Sequence, residues 1–90
     1  LRIDKESRMA YINGRELNLT PTEFELMLLF SKNPGKAFSR EQLLDKVWGY
    51  EFLGDSRTVD IHIQRLRKKL GEYSSCIETV FGIGYRYKEP

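Results

Sequence analysis

Arg57-Thr58-Val59-Asp60-Ile61-His62-Ile63-Gln64-Arg65-Leu66-Arg67-Lys68-Lys69-Leu70 decides how the rest of the chain is read. At about 100° per residue, Val59, Ile63, Leu66 and Leu70 fall on one stripe of a helix and predict a core-facing side. Thr58, Ile61, Arg65 and Lys68 lie opposite, flanked by Arg57, His62, Gln64 and Lys69. A helix that faces only water mixes Glu with its Lys and Arg. This one has five basic residues, Arg57, Arg65, Arg67, Lys68 and Lys69, and a single acid, Asp60. It nets +4 in a chain whose total is +2, so all other residues together sum to −2. The positive charge is concentrated: one side of the helix buries and the other meets something anionic.

Downstream, the pattern turns β-prone. Ile77-Glu78-Thr79-Val80-Phe81 leads into Gly82-Ile83-Gly84, and Tyr85-Arg86-Tyr87 alternates back, which predicts a hairpin over residues 77–87. Upstream lies a loop, residues 50–56, in which Asp55 or Ser56 can cap the helix. Two capping boxes come before it, Thr20-Pro21-Thr22-Glu23 and Ser39-Arg40-Glu41-Gln42. In each, the first hydroxyl accepts from the fourth N–H while the fourth side chain reaches back. The first box opens Phe24-Glu25-Leu26-Met27-Leu28-Leu29-Phe30, apolar nearly all round and so a buried helix, which Asn33-Pro34-Gly35 stops. The second opens a helix with Leu43, Leu44, Val47 and Trp48 on its apolar face, ended by Gly49. Lys36-Ala37-Phe38 reads as a brief extended segment between the two.

Residues 1–19 alternate as three short antiparallel strands, Leu1-Arg2-Ile3-Asp4, Met9-Ala10-Tyr11-Ile12 and Leu17-Asn18-Leu19, with Asn13-Gly14 as a hairpin turn. So small a meander has to lie on something apolar. N-terminal antiparallel strands, three helices and a C-terminal hairpin make an α+β chain, a winged helix-turn-helix, read as one domain over residues 1–90 with the third helix at about 56–70.

With 40% apolar and 31% charged residues the composition is that of an ordinary globular domain. No apolar run nears the roughly 18 residues of a membrane span, and no signal peptide is present, so no membrane partner is expected. The chain starts without Met, inside a strand-like stretch, and reads as a piece of something longer. Cys76 is the single cysteine and cannot form an internal disulfide; with one His it makes no metal set, and a reducing intracellular compartment fits. There are no paired carboxylates in a cleft and no nucleophile elbow, so neither an enzyme nor a cofactor is expected. Gly82-Ile83-Gly84 lacks the third glycine and the following helix of a dinucleotide loop.

The exposed side of the third helix fits the major groove of B-DNA, with Thr58 and Ile61 at base edges and Arg65 placed for guanine O6 and N7. Ile61 is the informative residue, because an aliphatic side chain amid basic ones suits a thymine methyl better than water. The same basic side could instead serve an acidic protein partner. His62 and Trp48 each have two readings, packing or phosphate contact. Arg40, at a helix N-terminus, can hold a phosphate or sit in solvent. Thr79, Phe81, Tyr85 and Arg86 of the hairpin are candidates for an adjacent minor groove. In the loop, Tyr50, Phe52 and Leu53 either dock a protein partner or fold back on the core.

Leu19-Thr20-Pro21-Thr22-Glu23-Phe24, Ser39-Arg40-Glu41-Gln42-Leu43-Leu44-Asp45-Lys46-Val47-Trp48-Gly49, Arg57-Thr58-Val59-Asp60-Ile61-His62-Ile63, Arg65-Leu66-Arg67-Lys68-Lys69-Leu70 and Gly82-Ile83-Gly84-Tyr85-Arg86-Tyr87 closely resemble the DNA-binding domain of OmpR/PhoB-type response regulators. The resemblance covers essentially all of residues 1–90. It implies a receiver domain, absent here, phosphorylated through a sensor kinase, and a cytoplasmic, nucleoid-associated bacterial regulator. It also implies head-to-tail dimers on direct-repeat DNA, with the isolated domain monomeric. The loop after the second helix (Tyr50, Glu51, Phe52, Leu53, Gly54 and Asp55) would touch RNA polymerase. Thr58, Ile61 and Arg65 would read bases. Arg40, Trp48, Arg57, His62, Gln64, Arg67, Lys68, Thr79 and Tyr85 would hold the backbone, and Phe81 and Arg86 would belong to the wing. Two positions depart from the family pattern: Gln64 and Phe81 stand where relatives often have Arg. The family's N-terminal sheet usually has four strands and three are counted, which places one upstream of residue 1. The sequence thus predicts sequence-specific duplex DNA binding in transcription regulation, the alternative being a protein-interaction module that uses the basic side.

Overall fold

The computed structural model describes residues 1–49 and 54–89. The chain opens with three antiparallel strands, β1 (Arg2–Asp4), β2 (Met9–Ile12) and β3 (Arg15–Leu17), in that spatial order. Asn13 and Gly14 both adopt positive φ, 51° and 78°, the left-handed pair that a two-residue hairpin loop needs. Because the loop is only two residues long, the third strand resumes at Arg15, with Ile12 paired to Arg15 and Ala10 to Leu17. The expected strand over residues 17–19 therefore sits two residues too late. Leu19 instead donates its N–H to the Leu17 carbonyl in a turn that leads into the first helix.

Helix α1 (Pro21–Lys32) begins on the expected capping box, in which the Thr20 Oγ1 accepts from Glu23 N–H at 3.2 Å and Glu23 Oε1 accepts from Thr20 N–H at 2.9 Å. Phe24, Leu26, Met27 and Phe30 are buried along it. Strand β4 (Ala37–Ser39) follows, then α2 (Arg40–Leu43), again on a complete capping box formed by Ser39 and Gln42. The predicted second helix does not run on as one α-helix: past Leu43 it widens into a π-helical turn over Leu44–Trp48, which ends at Gly49 with φ 94°. Leu43 is buried while Leu44, Val47 and Trp48 are partly buried against the same core.

Helix α3 (Arg57–Leu70) buries Val59, Ile63, Leu66 and Leu70, the stripe expected from the sequence. Asp55, not Ser56, supplies its cap, with Oδ1 accepting the Arg57 N–H at 2.9 Å. A six-residue 3-10 turn, Gly71–Cys76, connects α3 to β5 (Ile77–Val80), and β6 (Gly84–Tyr87) returns. The C-terminal unit is more than a hairpin. The extended segment between the first two helices is β4, and it pairs antiparallel with β6, giving a three-stranded sheet of order β4-β6-β5. Gly84 lies where β6 runs closest to β4: a Cβ there would overlap the Phe38 carbonyl oxygen and come 2.9 Å from Ser39 Cα. Phe38, carried by β4, meets Phe30 edge to face with ring centroids 6.0 Å apart, so this small sheet is locked to α1 through the core.

Candidate nucleic-acid interface

The exposed side of α3 carries Arg57, Ile61, Gln64, Arg65 and Lys68, with Thr58 and His62 half-buried at its margin. Ile61 is 50% exposed among these polar neighbours. His62 Nδ1 lies 2.8 Å from the Thr58 carbonyl oxygen, which can only accept, so Nδ1 is the donor and Nε2 is left for an outside partner. The His62 ring stands edge to face on Trp48, centroids 5.2 Å apart, and thereby joins α3 to the π-helical turn.

The lone acid of α3 organises the other margin. Asp60 receives both Nε and Nη2 of Arg40, the first residue of α2, and its Oδ1 also accepts the Tyr85 hydroxyl at 2.6 Å. Hydrogen bonding from Arg40 is the largest influence on the Asp60 carboxyl; it outweighs burial and, with the Tyr85 bond, holds the pKa below the ordinary value. Burial first, and donation to Asp60 second, push the Tyr85 phenol up to about 12. One carboxylate therefore fixes α2, α3 and β6 against each other.

Two basic residues of α3 are engaged by partners within the fold, although Lys69 stays exposed. Arg67 donates Nε and Nη2 to the Ile77 carbonyl at 3.0 and 2.6 Å and Nη2 to Thr79 Oγ1 at 3.0 Å, stapling α3 to β5. Lys69 Nζ lies 2.6 Å from Glu23 Oε1, and Glu23 is 1% exposed. Burial alone would raise the Glu23 pKa, but hydrogen bonds from Lys69 and the Thr20 backbone bring it below the usual value. Arg57, Arg65, Lys68 and Lys69 are exposed on α3, the Lys69 ammonium being tied to Glu23 and the other three reaching outward.

The structure places the remaining expected site residues as follows. Tyr85 is 7% exposed with its hydroxyl on Asp60, and the Arg67 guanidinium is engaged on β5, so both have partners inside the fold. Arg86 lies in the wing hairpin on β6, alternating with Tyr85, so it projects from the sheet side opposite α3, where Glu78 pairs with it at 3.5 Å. Phe81 is at the tip, 93% exposed, and Thr79 is exposed beside it. Gly54 and Asp55 are exposed, whereas Tyr50, Glu51, Phe52 and Leu53 lie outside the described residues. Sequence reading missed the Asp60 cluster and the Glu23–Lys69 pair. The available signal was Asp60 itself, a single acid kept in a basic helix.

Comparison with known proteins decides the family. The family described as "Transcriptional regulatory protein, C terminal" matches residues 14–87. The chain belongs to that family.

Within it, the curated Bacillus subtilis transcriptional regulatory protein YclJ is 53% identical over 89 residues, 97% of this chain but 39% of YclJ. The chain thus spans about two fifths of that relative's length. The DNA-binding domain of Bacillus subtilis CssR superposes with a TM-score of 0.86 at 44% identity, covering 96% of this chain and 97% of that one. The response regulator AdeR DNA-binding domain, in complex with an intercistronic region, gives 0.87 at 35% identity, covering 99% and 94%. The fold is the α+β winged helix of OmpR/PhoB-type DNA-binding domains, and its function is DNA binding in transcription regulation. The acidic-partner alternative finds no support in these relatives. Among the described residues, no helix is long and apolar enough to cross a membrane, and no group of three His, Cys, Asp or Glu side chains could hold a metal ion.

Proposed function

We propose that this winged-helix chain is the output domain of a two-component response regulator, seated with α3 in the major groove of direct-repeat promoter DNA. The observation that carries the base-reading assignment is Ile61, half-exposed between Arg57, Gln64 and Arg65 on an otherwise polar surface. An aliphatic side chain there gains contact from a thymine methyl and nothing from water. Arg65 reads guanine and Thr58 a neighbouring base edge. Arg57, Gln64, Lys68, His62, Trp48 and Thr79 hold the backbone, and Arg40 does so from the N-terminus of α2. Arg67 and Tyr85 act indirectly, as positioning residues for the wing.

A receiver domain, its sensor kinase, head-to-tail pairing on DNA, a cytoplasmic setting and an RNA polymerase contact through Tyr50, Glu51, Phe52, Leu53, Gly54 and Asp55 belong to the same reading. The support for them is family membership. Titrating the chain onto duplex DNA at several salt concentrations tests the core of the proposal. Phosphate contact predicts log K falling linearly with log salt, by about 0.9 per contacted phosphate. Lack of duplex binding at low salt would refute it.

A further inference from the structure

The two most exposed large apolar side chains of the described residues sit on one turn: Phe81 is 93% and Ile83 55% exposed. From Thr79 to Gly84 that turn carries no charge at all. It is also held in place. Gly82 takes φ 77°, Ile83 N–H bonds the Val80 carbonyl at 3.0 Å, and β6 is the central strand of its sheet. Immediately below, Tyr85 is pinned to Asp60 of α3. An apolar tip so pre-ordered loses little conformational freedom when it binds.

We propose that Phe81, with Ile83 beside it, is an apolar wedge that enters the minor groove flanking the site read by α3 and selects a deformable pyrimidine–purine step there. The inference rests on the DNA-binding reading above and adds a specificity element to it. Three observations favour this occupant. The turn faces Arg40, Glu41 and Asp60 across an open cleft of about 470 Å³, so it is continuous with the α2–α3 margin of the interface. Two side chains on one turn fall far short of the roughly 800 Å² that each partner of a specific protein complex buries, whereas a minor groove about 6 Å wide admits an apolar side chain that wedges between base steps. The chemistry also differs from a cationic reader. Arg is drawn to the narrow, strongly negative groove of stiff A-tracts, but an uncharged aromatic gains only by slipping between bases that unstack cheaply, as TA and CA/TG steps do.

The test uses the whole 90-residue chain and the tightest duplex recovered by selection from a random-sequence pool. Variants of that duplex differ only in the flanking minor-groove step, with 2-aminopurine placed at it. The expected result is tighter binding to TA than to AA at that step, by about fivefold, the low end of the range for one base pair, with a rise in 2-aminopurine fluorescence. Phe81→Ala should abolish both effects while keeping discrimination at the base pairs under α3; Phe81→Trp should retain them. Phe81 is almost fully solvated, so the fold tolerates either change. An unchanged step preference in Phe81→Ala, or specific binding without fluorescence change, overturns the wedge alone. Phe81-dependent self-association of the free chain in sedimentation overturns it in favour of a second copy. Absence of any specific duplex binding overturns the DNA reading as well.

Discussion

The Tyr85 hydroxyl donates to the Asp60 carboxylate at 2.6 Å, and through it the central strand of the wing sheet is bonded to α3. Arg40 reaches the same carboxylate from α2. Asp60 is therefore a joint: it sets the angle between α3 and the wing.

Tyr85→Phe keeps the ring in the core and removes only that bond. It should lower stability by about 1 kcal/mol near neutral pH in urea unfolding. The phenol binds its proton more tightly folded, at about 12, than its ordinary value of 10. Its contribution is therefore complete below about pH 10 and lost as the pH rises toward 12. The difference between the variant and the parent chain should shrink across that window. A constant difference would mean that the hydroxyl is not the coupled group.

Glu23 and Lys69 make an opposite, acid-side prediction. The Glu23 carboxyl is held below its usual 4.5, so its contribution is present above that value and lost as the pH falls through the lower, folded one. Lys69→Met leaves burial as the dominant influence and should raise the pH at which acid unfolding begins. Glu23→Ala, which removes the capping carboxylate as well, should cost roughly 2–4 kcal/mol in chemical denaturation.

Arg65 and Lys68 are both exposed, so their alanine variants should fold normally. Arg65→Ala should lower discrimination at one base pair by about 1–3 kcal/mol. Lys68→Ala should weaken all duplexes alike and reduce the salt slope by about one. Competition titrations with single-base-pair variants of a selected site separate the two; uniform weakening by both changes would remove Arg65 from the readers.

Gly84→Ala should be far more damaging than Gly82→Ala. The first forces a methyl into the β4 backbone at Phe38 and Ser39, where neither neighbour can yield without parting the strands. The second finds open space and strains only a positive φ, at a cost of about 1 kcal/mol. Thermal unfolding should show a large loss for Gly84→Ala, above about 3 kcal/mol, and a small one for Gly82→Ala. Similar losses would contradict the close approach of β4 and β6.

Local chemistry made much of this legible in advance. Both capping boxes, the Asn13-Gly14 turn and the buried stripe of α3 depend on residues within one or two turns of each other, where spacing dictates geometry. Errors arose where pairing is remote or the signal is short. Three residues of β4 are too few to show a period, and only β6, more than forty positions later, makes them a strand. The π-helical turn at Leu44–Trp48 carries the same apolar spacing that an α-helix would.

The candidate interface divides along the same line. From the sequence alone came a helix with one buried side and one basic side, with Ile61 and Arg65 on the latter. Helical periodicity guarantees that much. Only the tertiary structure decided which basic residues have partners within the fold. Arg67 and Lys69 are as cationic as Arg65 and Lys68, but the Ile77 carbonyl and the Glu23 carboxylate, ten and forty-six residues away in the chain, engage their charged ends. A charge on a helix is a local fact, whereas its availability depends on the neighbours that folding brings to it.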